Sequence, residues 1–159
     1  MKRRQFLHAA VATAAVAAAG RSIASPLPPV EVFKSATCGC CGAWIEHLQR
    51  AGFRVTAHNV PDTTAARKRL GMPDIYGSCH TATVGGYVVE GHVPADEIKR
   101  LLAAKPAALG LAVPSMPPGS PGMEVGSRRD PYEVLLVDKG GRASVFARYP
   151  KPTPSKESS

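Results

Sequence analysis

From residue 30 onward the spacing of apolar positions changes several times, and each change marks an element. Val30-Glu31-Val32-Phe33 is a short apolar run and predicts a strand. From Ala43 the apolar residues Trp44, Ile45, Leu48 and Ala51 recur at helical spacing, and Gly52 stops that helix. Alternation follows at Phe53, Val55 and Ala57, a second strand ending near Val60-Pro61. Asp62 or Thr63 can cap a short helix that runs through Arg67 to Leu70 and closes at Gly71 and Pro73. Thr81-Ala82-Thr83-Val84 and Tyr87-Val88-Val89-Glu90 are β-rich runs joined by Gly85-Gly86, which predicts a hairpin. Pro94 opens a helix at its first turn, with Asp96 and Glu97 near the positive end and Ile98, Leu101 and Leu102 facing inward.

The order β-α-β-α-β-β-α, with a cysteine cluster directly after the first strand, resembles the thioredoxin and glutaredoxin fold from roughly Val30 to Ala104. The expected class is therefore α/β, a thioredoxin-like βαβαββα core, and the likeness bears on fold more than on function. An irregular Pro- and Gly-rich segment follows from Ala112 to Arg129 and carries Met116 and Met123. A second hairpin, Glu133 to Val137 and Ala143 to Phe146, is expected around Asp138-Lys139-Gly140-Gly141. The organisation read from this is an export leader over residues 1–24, a Pro-rich lead-in over 25–29, one domain over 30–150 and a flexible tail over 151–159.

Composition adds the destination. The chain has 159 residues, 44% of them hydrophobic, enough for one modest core. Lys2-Arg3-Arg4-Gln5-Phe6-Leu7 is a basic start followed by an Ala-rich run from Ala9 to Gly20, and Ser22-Ile23-Ala24 offers a cleavage site after Ala24. The paired arginines resemble a twin-arginine signal, which carries folded proteins to the periplasm. The apolar run is too short for a stable membrane anchor. Losing Lys2, Arg3, Arg4 and Arg21 with the leader lowers the formal charge from +8 to +4. No basic stripe or stacking aromatics accompany that excess, so a nucleic-acid partner is excluded.

The chemistry lies in Cys38-Gly39-Cys40-Cys41-Gly42 and in Cys79, the chain's four cysteines. Cys38 and Cys41 have the Cys-x-x-Cys spacing of a redox or metal site at a helix N-terminus, where backbone N–H groups favour thiolates. Cys40 between them offers competing disulfides and suits thiol exchange poorly. Three thiols this close also suit a single tetrahedral zinc poorly. They suit several Cu(I) ions bridged by thiolate sulfurs, because soft ligands favour Cu(I). Zinc and an iron–sulfur cluster remain minor options by count. In thioredoxin-like folds the loop before the third strand lies against the Cys-x-x-Cys pair. By that analogy Ser78-Cys79-His80-Thr81 brings the fourth thiol beside the other three. His80, His92, Met116 and Met123 are further candidates for metal ligands or their supports. His47 and His58 read as exposed helix and strand positions, and Trp44 as a contact of helix on sheet.

These segments, with Glu90-Gly91-His92-Val93-Pro94, Pro117 to Gly126 and Tyr132-Glu133-Val134, resemble the CopG-like periplasmic copper-resistance proteins. The resemblance covers nearly the whole expected domain and agrees at all four cysteines. It implies a thioredoxin-fold metal binder with a Cys-x-Cys-Cys motif, a cysteine-bridged multicopper cluster, a part in copper handling with copper redox change, and exchange with other periplasmic copper proteins. Two readings of different class stand beside it. Four cysteines in an exported chain also fit two structural disulfides, and the fold fits a thiol-disulfide oxidoreductase.

Overall fold

The computed structural model describes residues 26–150; the expected leader and tail, residues 1–24 and 151–159, lie outside the described residues. Seven strands form one mixed sheet: β1 (Val30–Lys34), β2 (Val55–Asn59), β3 (His80–Val84), β4 (Tyr87–Glu90), β5 (Gly110–Ala112), β6 (Tyr132–Val137) and β7 (Ala143–Tyr149). Their spatial order is β2-β1-β3-β4-β5-β6-β7. Three α-helices accompany them: α1 (Gly39–Arg50), α2 (Thr63–Arg69) and α3 (Ala95–Ala104). No helix among the described residues is long and apolar enough to cross a membrane.

The parallel β1–β2 pair is joined through α1, and the parallel β4–β5 pair through α3; the other pairs are antiparallel. Parallel neighbours need such crossovers, because a tight turn can only reverse the chain. Side chains alternate across a strand, and the core divides accordingly. Val89, Leu111 and Val134 join Trp44, Leu48, Ile98 and Leu101 in the larger cluster, so α1 and α3 cover one face. Their strand neighbours Val88, Ala112 and Val137 join Met72 and Leu70, just beyond α2, in a smaller cluster on the other face.

Most predicted elements occur close to their expected ends. Asp62 caps α2, its carboxylate accepting from the N–H groups of Thr64 and Ala65 at 2.8 and 3.1 Å. Three expectations need correction. α1 begins at Gly39, ahead of the expected start near Gly42, which puts Cys40 and Cys41 in its first turn. Pro94 is the residue before α3 and not its first helical residue, with extended backbone at φ −60° and ψ 141°. The segment after α3 contains β5, a three-residue strand that joins the second hairpin to the sheet.

Candidate metal centre

The register of β1 and β3 explains why residues forty positions apart meet. Lys34 lies opposite His80, so the end of β1 and the start of β3 share one edge of the molecule. Four residues past Lys34 comes Cys38, and one residue before His80 comes Cys79. Cys38 is the N-cap of α1, with φ −78°, ψ 94° and no side-chain cap bond. The first-turn N–H groups of α1 are thus not spent on a capping side chain and favour negative charge there.

Cys41 is buried, and Cys38, Cys40 and Cys79 are half-buried. Cys38 and Cys41 are joined as a disulfide, and Cys40 and Cys79 are free thiols. Cys40 Sγ lies 3.5 Å from Cys38 Sγ and 3.8 Å from Cys79 Sγ, and Cys41 Sγ lies 3.6 Å from Cys79 Sγ. All four sulfurs fall within 4.8 Å of one another.

Cys79 also belongs to a second group. Its sulfur is 3.3 Å from His80 Nδ1 and 3.2 Å from His92 Nε2. His92 Nδ1 is 2.8 Å from the carbonyl oxygen of Pro121. A carbonyl only accepts, so Nδ1 carries the proton and Nε2 turns a lone pair towards the cysteine. A backbone carbonyl holding the far nitrogen is the usual support of a metal-binding imidazole. His80 is fully buried, and its Nε2 has no hydrogen-bond partner among the described residues. Its ring packs against Trp44, centroids 4.4 Å apart, and edge-on to His92 at 5.0 Å.

Burial shapes the charge of these groups. It pushes the Cys79 thiol up to about 12, with the neighbouring Cys40 adding to the effect. It brings His80 down to about 3, assisted by His92, and holds His92 below its ordinary value as well. The metal-free centre at neutral pH therefore has a protonated Cys79 facing two neutral imidazoles.

The segment 117–123 straps over the start of α1. Gly122 has φ +83°, and a Cβ there would stand 2.7 Å from Trp44 N and 2.8 Å from Cys40 O. Only glycine permits both that conformation and that approach. Pro121 O, one residue earlier, is thereby set on His92. Met123 is half-buried in the strap, its N–H donating to Ser120 O at 2.8 Å. Met116 is exposed and lines an open recess with Cys79, Ser78 and Arg67. Trp44 is buried between helix and sheet as expected, its Nε1 donating to Val93 O at 2.8 Å.

His58 is exposed on its strand, as read from the sequence. His47 is corrected. It is half-buried, and its Nε2 accepts from Ala95 N at 3.0 Å, so an imidazole on α1 serves the first N–H of α3. No role at the site is legible in the sequence for Arg67 and Glu90, which are buried beneath Ser78. Arg67 sits in the basic run Arg67-Lys68-Arg69, and nothing local separates it from its neighbours.

The chain is similar to known proteins. A family described as a protein of unknown function, DUF411, matches residues 76–123, which include Cys79, His80, His92 and the strap. Two solved structures, the copper resistance protein CopG in form 1 and in form 2, are each 48% identical to this chain with a TM-score of 0.74. Each alignment covers 78% of this chain and 98% or 99% of the other. No curated protein matches the chain. With that identity over nearly the full length of both CopG structures, the chain belongs to the CopG copper-resistance family.

Proposed function

We propose that this chain is an exported copper-binding protein whose thiolates hold several Cu(I) ions in a sulfur-bridged cluster, limiting free copper in the periplasm. The observation that carries the reading is the packing of Cys38, Cys40, Cys41 and Cys79 sulfurs within 4.8 Å of one another. The donor set fits a soft monovalent metal: four sulfurs close enough to bridge, with imidazole nitrogens at one side. His80 Nδ1, 3.3 Å from Cys79 Sγ, supports the same reading by placing a second imidazole nitrogen beside the sulfurs. Bound copper supplies the positive charge that lets buried thiols exist as thiolates. Exchange with an external dithiol, which is itself oxidised to a disulfide, delivers two electrons and two protons to the Cys38–Cys41 bond and presents the complete set of thiols. Cys79 must give up its proton, and His92 offers Nε2 already free of one. His80, Met116 and Met123 stand as further ligands or supports.

The β1-α1-β2 unit, the β3–β4 hairpin and α3 support a thioredoxin-like core. The basic leader supports export by the twin-arginine route, with exchange to other periplasmic copper-handling proteins. Replacing Arg3 and Arg4 by Lys and fractionating the cells tests that route; unchanged periplasmic yield would remove it.

Copper analysis with thiol titration on anaerobically purified protein tests the cluster. Several coppers per chain with all four thiols protected is the expected result, and Cys79→Ser should abolish it. Undiminished copper in that variant would sink the four-thiol site. The Cys38–Cys41 disulfide at a helix N-terminus favours a second reading, a thiol-disulfide oxidoreductase. That reading expects disulfide reduction of a protein substrate to survive Cys79→Ser.

A further inference from the structure

Cys79 belongs to the loop before β3 and not to a regular element, yet the centre needs its sulfur beside the other three. The loop is gripped from beneath. Glu90 at the end of β4 is fully buried, and its Oε1 accepts from Ser78 N at 2.7 Å. The same oxygen accepts from Arg67 Nε at 2.9 Å. Arg67, 7% exposed, donates through a second nitrogen to Ser78 O at 3.0 Å and through the third to Asp74 Oδ1 at 3.1 Å. Both peptide groups of Ser78 are therefore fixed, and the second is the bond that leads into Cys79. Gly77 leaves room for this, because a Cβ there would stand 2.9 Å from the guanidinium carbon.

A buried ion pair is a poor source of net stability, since desolvation offsets most of its attraction. A planar guanidinium with three acceptors in fixed directions is, however, a good jig. We propose that Arg67 and Glu90 are positioning residues that act through the peptide groups of Ser78 to hold Cys79 within reach of Cys38, Cys40 and Cys41. The proposal rests on the four-thiol reading above and gives that site its scaffold.

The test measures the position of Cys79 with no metal present. In a Cys38→Ser/Cys40→Ser form of the chain, only Cys41 and Cys79 retain thiols. Oxidised glutathione takes both hydrogens as the Cys41–Cys79 disulfide forms and two molecules of reduced glutathione are released. The equilibrium gives the effective concentration of one thiol at the other. Adding Arg67→Met should lower it by roughly ten-fold or more, because small misplacements of reacting atoms cost this much. Arg67→Lys should lose nearly as much, as a point charge cannot span three acceptors. Glu90→Gln, which keeps an acceptor facing Ser78 N–H, should fall between Arg67→Met and the parent. Val134→Ala, in the core but remote from the grip, controls for lost stability and should leave the value unchanged.

Values within two-fold of the parent for Arg67→Lys and Glu90→Gln overturn the proposal even if Arg67→Met does not fold. An equal fall in Val134→Ala overturns it too, as a general loosening. Copper binding by the wild-type chain is measured in parallel. A strong dependence on Arg67 in a chain that binds no copper keeps the grip and removes the metal reading; the opposite pattern removes the grip alone.

Discussion

At His80, His92 and His47, burial disfavours the imidazolium, most of all at His80, which is held down at about 3. Such a ring binds its proton more weakly in the folded than in the unfolded chain, so below about 6.5 the unfolded state binds more protons. Stability from these groups is therefore complete above that pH and is lost as the pH falls through it. Between pH 7.5 and 5.5 the metal-free protein should lose about 1.4 kcal/mol on account of His80 alone. Urea unfolding at the two pH values checks this, and a His80→Gln variant should show a correspondingly flatter dependence. Metal affinity has the same sign for a different reason. Cys79, pushed up to about 12, is protonated across the working range and must release that proton on binding. Log K for Cu(I) should rise by about one per pH unit for each proton released, a slope that competition titrations at several pH values would reveal. The four cysteines were legible because three lie in one short motif. His92 was only a weak candidate because its orientation depends on Pro121 O, 29 positions away. Arg67 was hidden in a basic run whose neighbours Lys68 and Arg69 are exposed.

Among the elements, the strap of residues 117–123 has the sharpest sequence requirement. Gly122→Ala would place a Cβ against backbone atoms of Cys40 and Trp44 and would hold a non-glycine residue at φ +83°. The expected cost is about 1–3 kcal/mol. The strap should lift, and Pro121 O should leave His92 Nδ1, so ring-nitrogen NMR of the variant should show His92 sampling both tautomers. A single wild-type tautomer in Gly122→Ala would mean that the strap is not what orients the ring. The helices and hairpins were readable from periodicity and turn residues, since those signals are local. β5 was not, because Gly110-Leu111-Ala112 is too short to show a period and is a strand only by virtue of β4 and β6 on either side. The early start of α1 was missed for a related reason. Its first residues are glycine and cysteine, with no capping side chain to announce the end.

Across the whole molecule, the second hairpin is continuous with the core that carries the centre. Val134 of β6 and Leu111 of β5 share one buried cluster with Trp44 and Val32. Leu111→Ala should cost about 2–5 kcal/mol and destabilise the helices and the hairpin together. Hydrogen exchange in β6 and in α1 should accelerate by the same factor; exchange confined to β5–β7 would make the hairpin a separate unit. The contact of Trp44 with His80 has an optical consequence. Trp44 is the chain's single tryptophan, and its ring lies 4.4 Å from that of the buried imidazole beside the sulfurs. Indole emission is sensitive to charge and to electron acceptors at that range, so the molecule contains its own fluorophore at the one place where cargo would arrive. Arrival and departure could then be followed by intrinsic fluorescence in real time, with no label attached and no residue changed.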